Sequence, residues 1–379
     1  MTSNDALLGL YFHIPFCLRK CGYCDFCSYP SRLADREAYV QALLREIRAY
    51  APRVVEREID TVYFGGGTPS LLSVGQIATV LNELHSNIAY RLWGGAEITL
   101  EVNPATVTPQ TLTAYRQMGI NRLSIGVQSF HDGELAALGR LHTAADARAC
   151  VEAARQAGFD NISIDLMYGI PHQTLDSFTE SLKAAIALAP EHVSAYSLKV
   201  EEGTPFAQLG DGLPLPDEDT EFAMYETCVS LLGEAGYEHY EVSNYARPHH
   251  RSRHNLHYWR GEEYVGFGVA AHSYFEGYRY GCDRDLDAYL ARAFDGCPHG
   301  DFIDEQAAEE EAILLGLRLS DGISDNLFAR RFGVSFTEKY GAKLAPFVRG
   351  GFVLTDNGRT RLTDRGMYVM NAILAEILT

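Results

Sequence analysis

Along the first two hundred residues, short apolar runs alternate with amphipathic segments, the pattern of a parallel α/β fold. Runs near 7–14 (LLGLYFHI), 59–66, 96–103, 122–129, 161–169 and 192–200 predict six strands. Between the first two, Val40, Leu43, Leu44 and Ile47 fall at helical spacing and give one buried face. Six strand–helix units in succession predict a (β/α) barrel, here a partial (β/α)6 one, over an open sheet. Each unit carries its polar or glycine-rich motif toward the end of its strand: a cysteine loop after the first, GGGTP after the second, Glu101 in the third, Gln128 in the fourth and Asp165 in the fifth. Barrels place their ligands and chemistry at that C-terminal rim, so the five motifs describe one site.

The rest of the chain changes in texture. Residues 203–220, GTPFAQLGDGLPLPDEDT, read as a linker or lid rich in Gly, Pro and acid. A helix is expected from Glu218 to Ala235, then an aromatic and histidine-rich stretch to about residue 280. From Glu305 onward there are about three helical patterns and a hairpin signal, FVLTDNGRTRL, with Asn357-Gly358 at the turn. That set resembles a small winged helix. The expected division is a barrel core over 1–210, a flanking segment over 211–300 and a C-terminal winged-helix-like unit over 301–379.

Composition narrows the function classes. A chain of 379 residues, 46% hydrophobic and 22% charged, can bury a large core. Its formal charge of −18 repels phosphate backbones and anionic membranes, so nucleic acid is not an expected partner. The C-terminal unit does not change that, with nine basic and ten acidic residues from 305 to 379. No run of eighteen apolar residues and no basic, apolar signal segment is present, which points to the cytoplasm. Four of the eight cysteines sit in one loop while Cys150, Cys228, Cys282 and Cys297 are scattered, and in a reducing compartment that clustering favours metal over disulfides.

The loop is CLRKCGYCDFC, residues 17–27. A zinc site, the alternative, usually draws two ligand pairs from knuckles a dozen or more residues apart. A [4Fe–4S] cube is larger, and Cys17, Cys21 and Cys24, spaced C-x3-C-x2-C, can reach three of its irons and leave the fourth open. Cys27 is unassigned: a cap on the fourth iron, a porphyrin contact or a bystander thiol.

This spacing, with Tyr23 before the last cysteine, resembles the signature of the radical S-adenosylmethionine (SAM) superfamily. The resemblance implies that SAM chelates the open iron and that its reductive cleavage gives a 5′-deoxyadenosyl radical, with an electron donor for the cluster. Further stretches are similar to the oxygen-independent coproporphyrinogen III oxidase (HemN) group and its shorter relatives: YFHIPFCLRKCGYCDF, YFGGGTPSLL, EVNP, GVQSF with LGRLH, and IDLMYGIPHQT. Carried over by motif, the SAM contacts are Tyr11, Tyr23, Gly66, Gly67, Thr68, Glu101, Gln128, Arg140 and Asp165. Arg140 suits the SAM carboxylate, and Gln128 and Asp165 its ribose hydroxyls.

Two features depart from the oxidase. Its fourth cysteine falls one residue earlier, where this chain has Phe26, and the cluster loop here begins as early as residue 17. Both put coproporphyrinogen decarboxylation in doubt, and no catalytic residue is assigned. In their place RHNLHYWRGEEYVGFGVAAHS (253–273) carries H-N-x-x-Y-W as His254, Asn255, Tyr258 and Trp259, which resembles the haem-chaperone branch of the same family. That branch implies haem as ligand, haem-acceptor proteins such as respiratory cytochromes as partners, and admits a homodimer. His254 is the expected haem contact, with Tyr258 and Trp259 as flat apolar surface. His249, His250, His257 and His272 crowd the same region, His272 as a second wall of the SAM site, and His13 reads as structural. The rival functions are the oxidase itself, a radical methyltransferase or haem-degrading enzyme, and a purely structural cluster.

Overall fold

A computed structural model describes residues 7–88, 92–294 and 300–379; Cys297 lies outside them. The six expected strands are present as β1 (Leu7–Ile14), β2 (Glu58–Gly66), β3 (Leu92–Val102), β4 (Arg122–Gln128), β5 (Ile162–Tyr168) and β6 (His192–Ser197). They pair in parallel in chain order, as a partial barrel does.

Alternation along each strand explains the apolar runs. In β1, Leu8, Leu10, Phe12 and Ile14 are fully buried on the outer face, where Phe12 stacks between Phe64 and Phe267 at 5.0 and 4.9 Å. The intervening positions point into the barrel. The helix Arg36–Val54 covers the outer face with Val40, Leu43, Leu44 and Ile47, as its spacing predicts. The helices after β2, β3, β4 and β5 that begin at Val74, Pro109, Ala144 and Leu175 all start on a Ser or Thr cap with a reciprocal bond from the third helical residue. Such boxes satisfy otherwise orphaned N–H groups and fix where each rim loop ends.

The segment 211–300 is woven into this sheet. The strands β7 (Glu238–Glu241) and β8 (Asn244–Ala246) extend the β6 edge as an antiparallel pair. At the other edge β9 (Tyr264–Phe267) runs parallel to β1, followed by β10 (His272–Phe275), β11 (Tyr278–Gly281) and β12 (Asp301–Phe302). The result is one twelve-stranded sheet, with Tyr225, Tyr245 and Val265 in the barrel's own core. The helix Glu218–Glu234 packs on the outside. Residues 203–220 do not form a free linker: a short helix, Pro205–Leu209, brings the Phe206 ring against Gly22, where a Cβ would lie 2.4 Å from it.

The C-terminal unit has a separate core that includes Ile313, Phe328, Phe336 and Ile373. Its helix Glu305–Gly316 leads into β13 (Ile323–Ser324), the helices Asp325–Phe332 and Phe336–Arg349 follow, and β14 (Val353–Asp356) and β15 (Arg359–Leu362) close a sheet in the order β13-β15-β14, a winged-helix-like arrangement. The hairpin turns at Asn357 and Gly358, both at positive φ. Arg318 joins the two units: it donates to the buried Glu241 at 3.1 Å and lies 4.2 Å from the Trp259 ring centre.

Candidate functional site

The inward faces of the six strands form a polar barrel interior. Tyr63 on β2 donates to Glu101 on β3 at 2.8 Å, Ser124 on β4 donates to Asp165 on β5 at 3.1 Å, and Tyr196 on β6 donates back to Gln128 at 2.8 Å. Between them lies a cavity of about 600 Å³, within the range of small-molecule sites. Its wall runs from Cys17, Cys21 and Cys24 through Gly66, Thr68, Glu101, Gln128, Arg140 and Asp165 to Arg122, Ser194 and Asn255. Motifs spread over 150 residues of sequence thus share one space.

The cysteine loop has no regular structure and is held by its backbone. Gly22 donates to the Leu138 carbonyl at 3.2 Å and accepts from Phe206 at 3.0 Å. At the loop's end His13 donates from Nε2 to the Cys27 carbonyl at 2.8 Å, which leaves Nδ1 to accept from Tyr11. This histidine is an anchor for the loop. The glycine run is needed on steric grounds: a Cβ on Gly67 would meet the carbonyl oxygens of Phe16 and Ile14 at 2.7 and 2.9 Å, and Gly66 has φ +107°. Gln128 also sits at positive φ, 69°, beside a shift in the β4–β5 register, so a bulge turns its amide toward Tyr196.

Burial dominates the electrostatics of the site. Burial pushes Glu101 up to about 7, opposed by the Tyr63 and Gly66 hydrogen bonds and reinforced by Asp165. Burial also raises Asp165, against the serine hydroxyls and Arg122. Cys24 is pushed up to about 11 by burial, with Cys21 and Cys17 adding repulsion. Burial works against the Arg140 charge, but Tyr23 and Cys21 beside it outweigh that and raise it. Arg140 Nε, Arg122 Nε and Asn244 Oδ1 are buried without a hydrogen-bond partner among the described residues and belong to residues that line the cavity. Three soft thiols at one mouth, two buried carboxyls raised above their ordinary values and orphaned donors and acceptors fit a thiolate-bound iron–sulfur cluster with a zwitterionic ligand. Cys17, Cys21 and Cys24 would hold the cluster, and Glu101, Gln128, Arg140 and Asp165 the ligand.

The Radical SAM superfamily matches residues 11–185, and the HemN C-terminal domain matches 303–369. The haem chaperone HemW of Lactococcus lactis is 34% identical over 97% of this chain and 96% of its own length. That of Bacillus subtilis is 35% identical over 97% and 98%, and that of Escherichia coli 41% identical over 70% and 69%. The chain belongs to the HemW family. The fold is that of the E. coli coproporphyrinogen III oxidase HemN, a radical SAM enzyme, with a TM-score of 0.87 over 99% of this chain and 91% of that one at 24% identity.

Within this HemW-family chain, two expected contacts lie away from the cavity. Tyr11 is behind its wall, stacked on Tyr63 and His254 with its hydroxyl on His13. His254 is buried under the barrel with both ring nitrogens engaged, Nδ1 with the Thr61 hydroxyl and Nε2 with that of Tyr258, each at 2.8 Å. Burial holds its pKa well below the usual value, with His257 and Arg122 adding to the effect. A neutral imidazole with two partners has its lone pair engaged, so the structure places His254 away from the cavity and without a nitrogen open to an iron. Nor are the flanking rings open surface: Tyr258 packs edge-on against Tyr264, and Trp259 lies beneath Arg318. His272 is exposed on β10, outside the cavity wall. Cys27 also lies outside it, with its thiol donating to Tyr29 at 3.4 Å.

Sequence reasoning missed Tyr63, Arg122, Tyr196 and Asn255 as wall residues. The H-N pair was visible, but only the helical phase of Arg253–Arg260 decides that Asn255, and not His254, meets the cavity.

Proposed function

We propose that this chain is a haem chaperone that binds haem, carries a [4Fe–4S] cluster and SAM, and hands haem to acceptor proteins such as respiratory cytochromes. The observation that carries this reading is its similarity to two haem chaperones, 34% and 35% identical over 97% of its length. Cys17, Cys21 and Cys24 would hold the cluster, and Glu101 and Arg140, which line the same cavity, would take the ammonium and carboxylate of SAM. When bound, cluster and SAM together supply one-electron chemistry at the mouth. The chain's own part is to exclude water with the Tyr23, Phe206 and Leu198 layer, and to hold Glu101 and Asp165 in a buried setting that raises both carboxyls above their ordinary values.

The protein works in the cytoplasm, takes electrons for its cluster from a donor and can act as a homodimer. No helix among the described residues is long and apolar enough to cross a membrane. The shared fold with HemN keeps coproporphyrinogen oxidation as the second reading.

An anaerobic haem titration of the cluster-reconstituted protein, followed by transfer to an apocytochrome, separates them. Saturable, near-stoichiometric Soret absorbance and haem transfer are expected. No saturable binding, together with SAM-dependent conversion of coproporphyrinogen to protoporphyrinogen, would overturn the chaperone reading.

A further inference from the structure

Three exposed apolar side chains surround the cavity mouth with no part in holding a cluster or SAM. Leu18 is 47% exposed, Phe26 66% and Leu141 51%, and all three line the same opening. Single exposed apolar residues are ordinary, but a group at one opening marks a binding surface. Leu18 lies between the first two cluster cysteines and Phe26 just after the third.

Arg19 and Lys20, on the same loop, line the same mouth. The nearby acids are already engaged: Glu201 pairs with Lys199 at 2.8 Å, and Asp25 lies 3.9 Å from Arg284. In a chain of charge −18, two cations without a carboxylate partner among the described residues therefore stand beside an apolar patch. A flat apolar face bordered on one side by two carboxylates is the chemistry that complements them. Haem has it.

We propose that the haem seat is the cysteine loop itself, with the macrocycle on Leu18, Phe26 and Leu141 and the propionates on Arg19 and Lys20. The inference rests on the chaperone reading above and places the ligand at the opposite end of the barrel from the buried HNxxYW helix. Seat residues and cluster ligands alternate along residues 17–26, a stretch with no helix or strand of its own. The backbone that the thiols fix when they bind iron is thus the backbone that presents the seat.

The test is an anaerobic absorbance titration with haemin of the full-length, cluster-reconstituted protein, beside Leu18→Asp/Phe26→Asp, Arg19→Glu/Lys20→Glu and Leu141→Asp. Phe302→Asp is the control, since Phe302 is 65% exposed on β12 and does not line the mouth. Iron content is measured on every sample. At least a tenfold loss of haem affinity is expected in the two double variants at unchanged cluster iron, and none in Phe302→Asp. Haemin dimethyl ester, which lacks the carboxylates, should bind wild type and Arg19→Glu/Lys20→Glu alike. If the loop variants fail to assemble a cluster, Leu141→Asp, outside the loop, gives the same reading. Wild-type binding with affinity kept within twofold in every mouth variant overturns the seat alone; no saturable wild-type binding overturns the chaperone reading and the seat with it.

Discussion

At the mouth of the barrel the cysteine loop runs without regular structure, tied down by Gly22, Phe206 and the Cys27 carbonyl, and leaves its thiols beside an arginine with an unpartnered Nε. At the other end the helix Arg253–Arg260 is clamped: Glu97 accepts from the backbone N–H groups of Arg253 and His254, His257 pairs with Asp60 at 2.7 Å, and both nitrogens of His254 are committed. Both segments are rich in metal-binding residue types. Buried atoms without a hydrogen bond among the described residues occur at both ends, Trp259 Nε1 on the clamped helix and Arg140 Nε at the mouth, so what separates the two is access: Arg140 and the thiols line the cavity, and His254 and Trp259 do not.

The largest effect should come from removing a thiol at the mouth. Cys24→Ala should lose essentially all cluster iron on reconstitution, read by iron analysis and visible absorbance, while the fold survives. At the clamped end, His254→Ala leaves a void and strands the Thr61 and Tyr258 hydroxyls, so it should destabilise the protein by about 3–4 kcal/mol in urea denaturation. A stable variant that had merely lost haem would break the comparison and return His254 to the role of ligand.

The buried carboxyls give the next effect. Glu101 and Glu46 are each pushed up to about 7 by burial, from an ordinary 4.5. In both cases the folded form binds the proton more tightly, so stability is present below pH 4.5 and falls as pH rises toward 7, by roughly 2–3 kcal/mol per group. Glu101→Gln and Glu46→Gln should each flatten part of that slope. Saturating SAM should remove only the Glu101 part, because Glu46, bonded to Gly268 and Tyr289, lies outside the cavity wall.

Gly67→Ala forces a Cβ onto two carbonyl oxygens and should lower stability by about 1–3 kcal/mol and slow cluster assembly. Cys27→Ser should change least, with iron content as in wild type and stability within about 0.5 kcal/mol, because the thiol faces Tyr29 and a hydroxyl can replace it. Loss of iron in that variant would assign Cys27 to the cluster.

Much of this was legible because it is local. Strand β1 has the bounds its apolar run predicts, the helix from Glu218 stops within a residue of the expected end, and the Asn357-Gly358 turn follows from its dipeptide. The additional strands β7–β12 were not legible: at two to four residues each, they are too short to show a period of two, and pairing with the barrel edges holds them in place. The same limit applied to the site. Glycine and cysteine spacing marked the rim, but the partners of Glu101 and Asp165 come from other strands.

The sequence by itself determined the six-strand barrel pattern, the spacing of the three thiols in the loop and the family, because strand period, cysteine spacing and motif order are properties of neighbouring residues. Only the tertiary structure decided which side chains share the cavity. It put Tyr11 behind the wall, turned Asn255 inward, and spent both nitrogens of His254 on Thr61 and Tyr258. Those outcomes depend on helical phase, strand register and contacts between residues nearly two hundred positions apart, which no local pattern encodes.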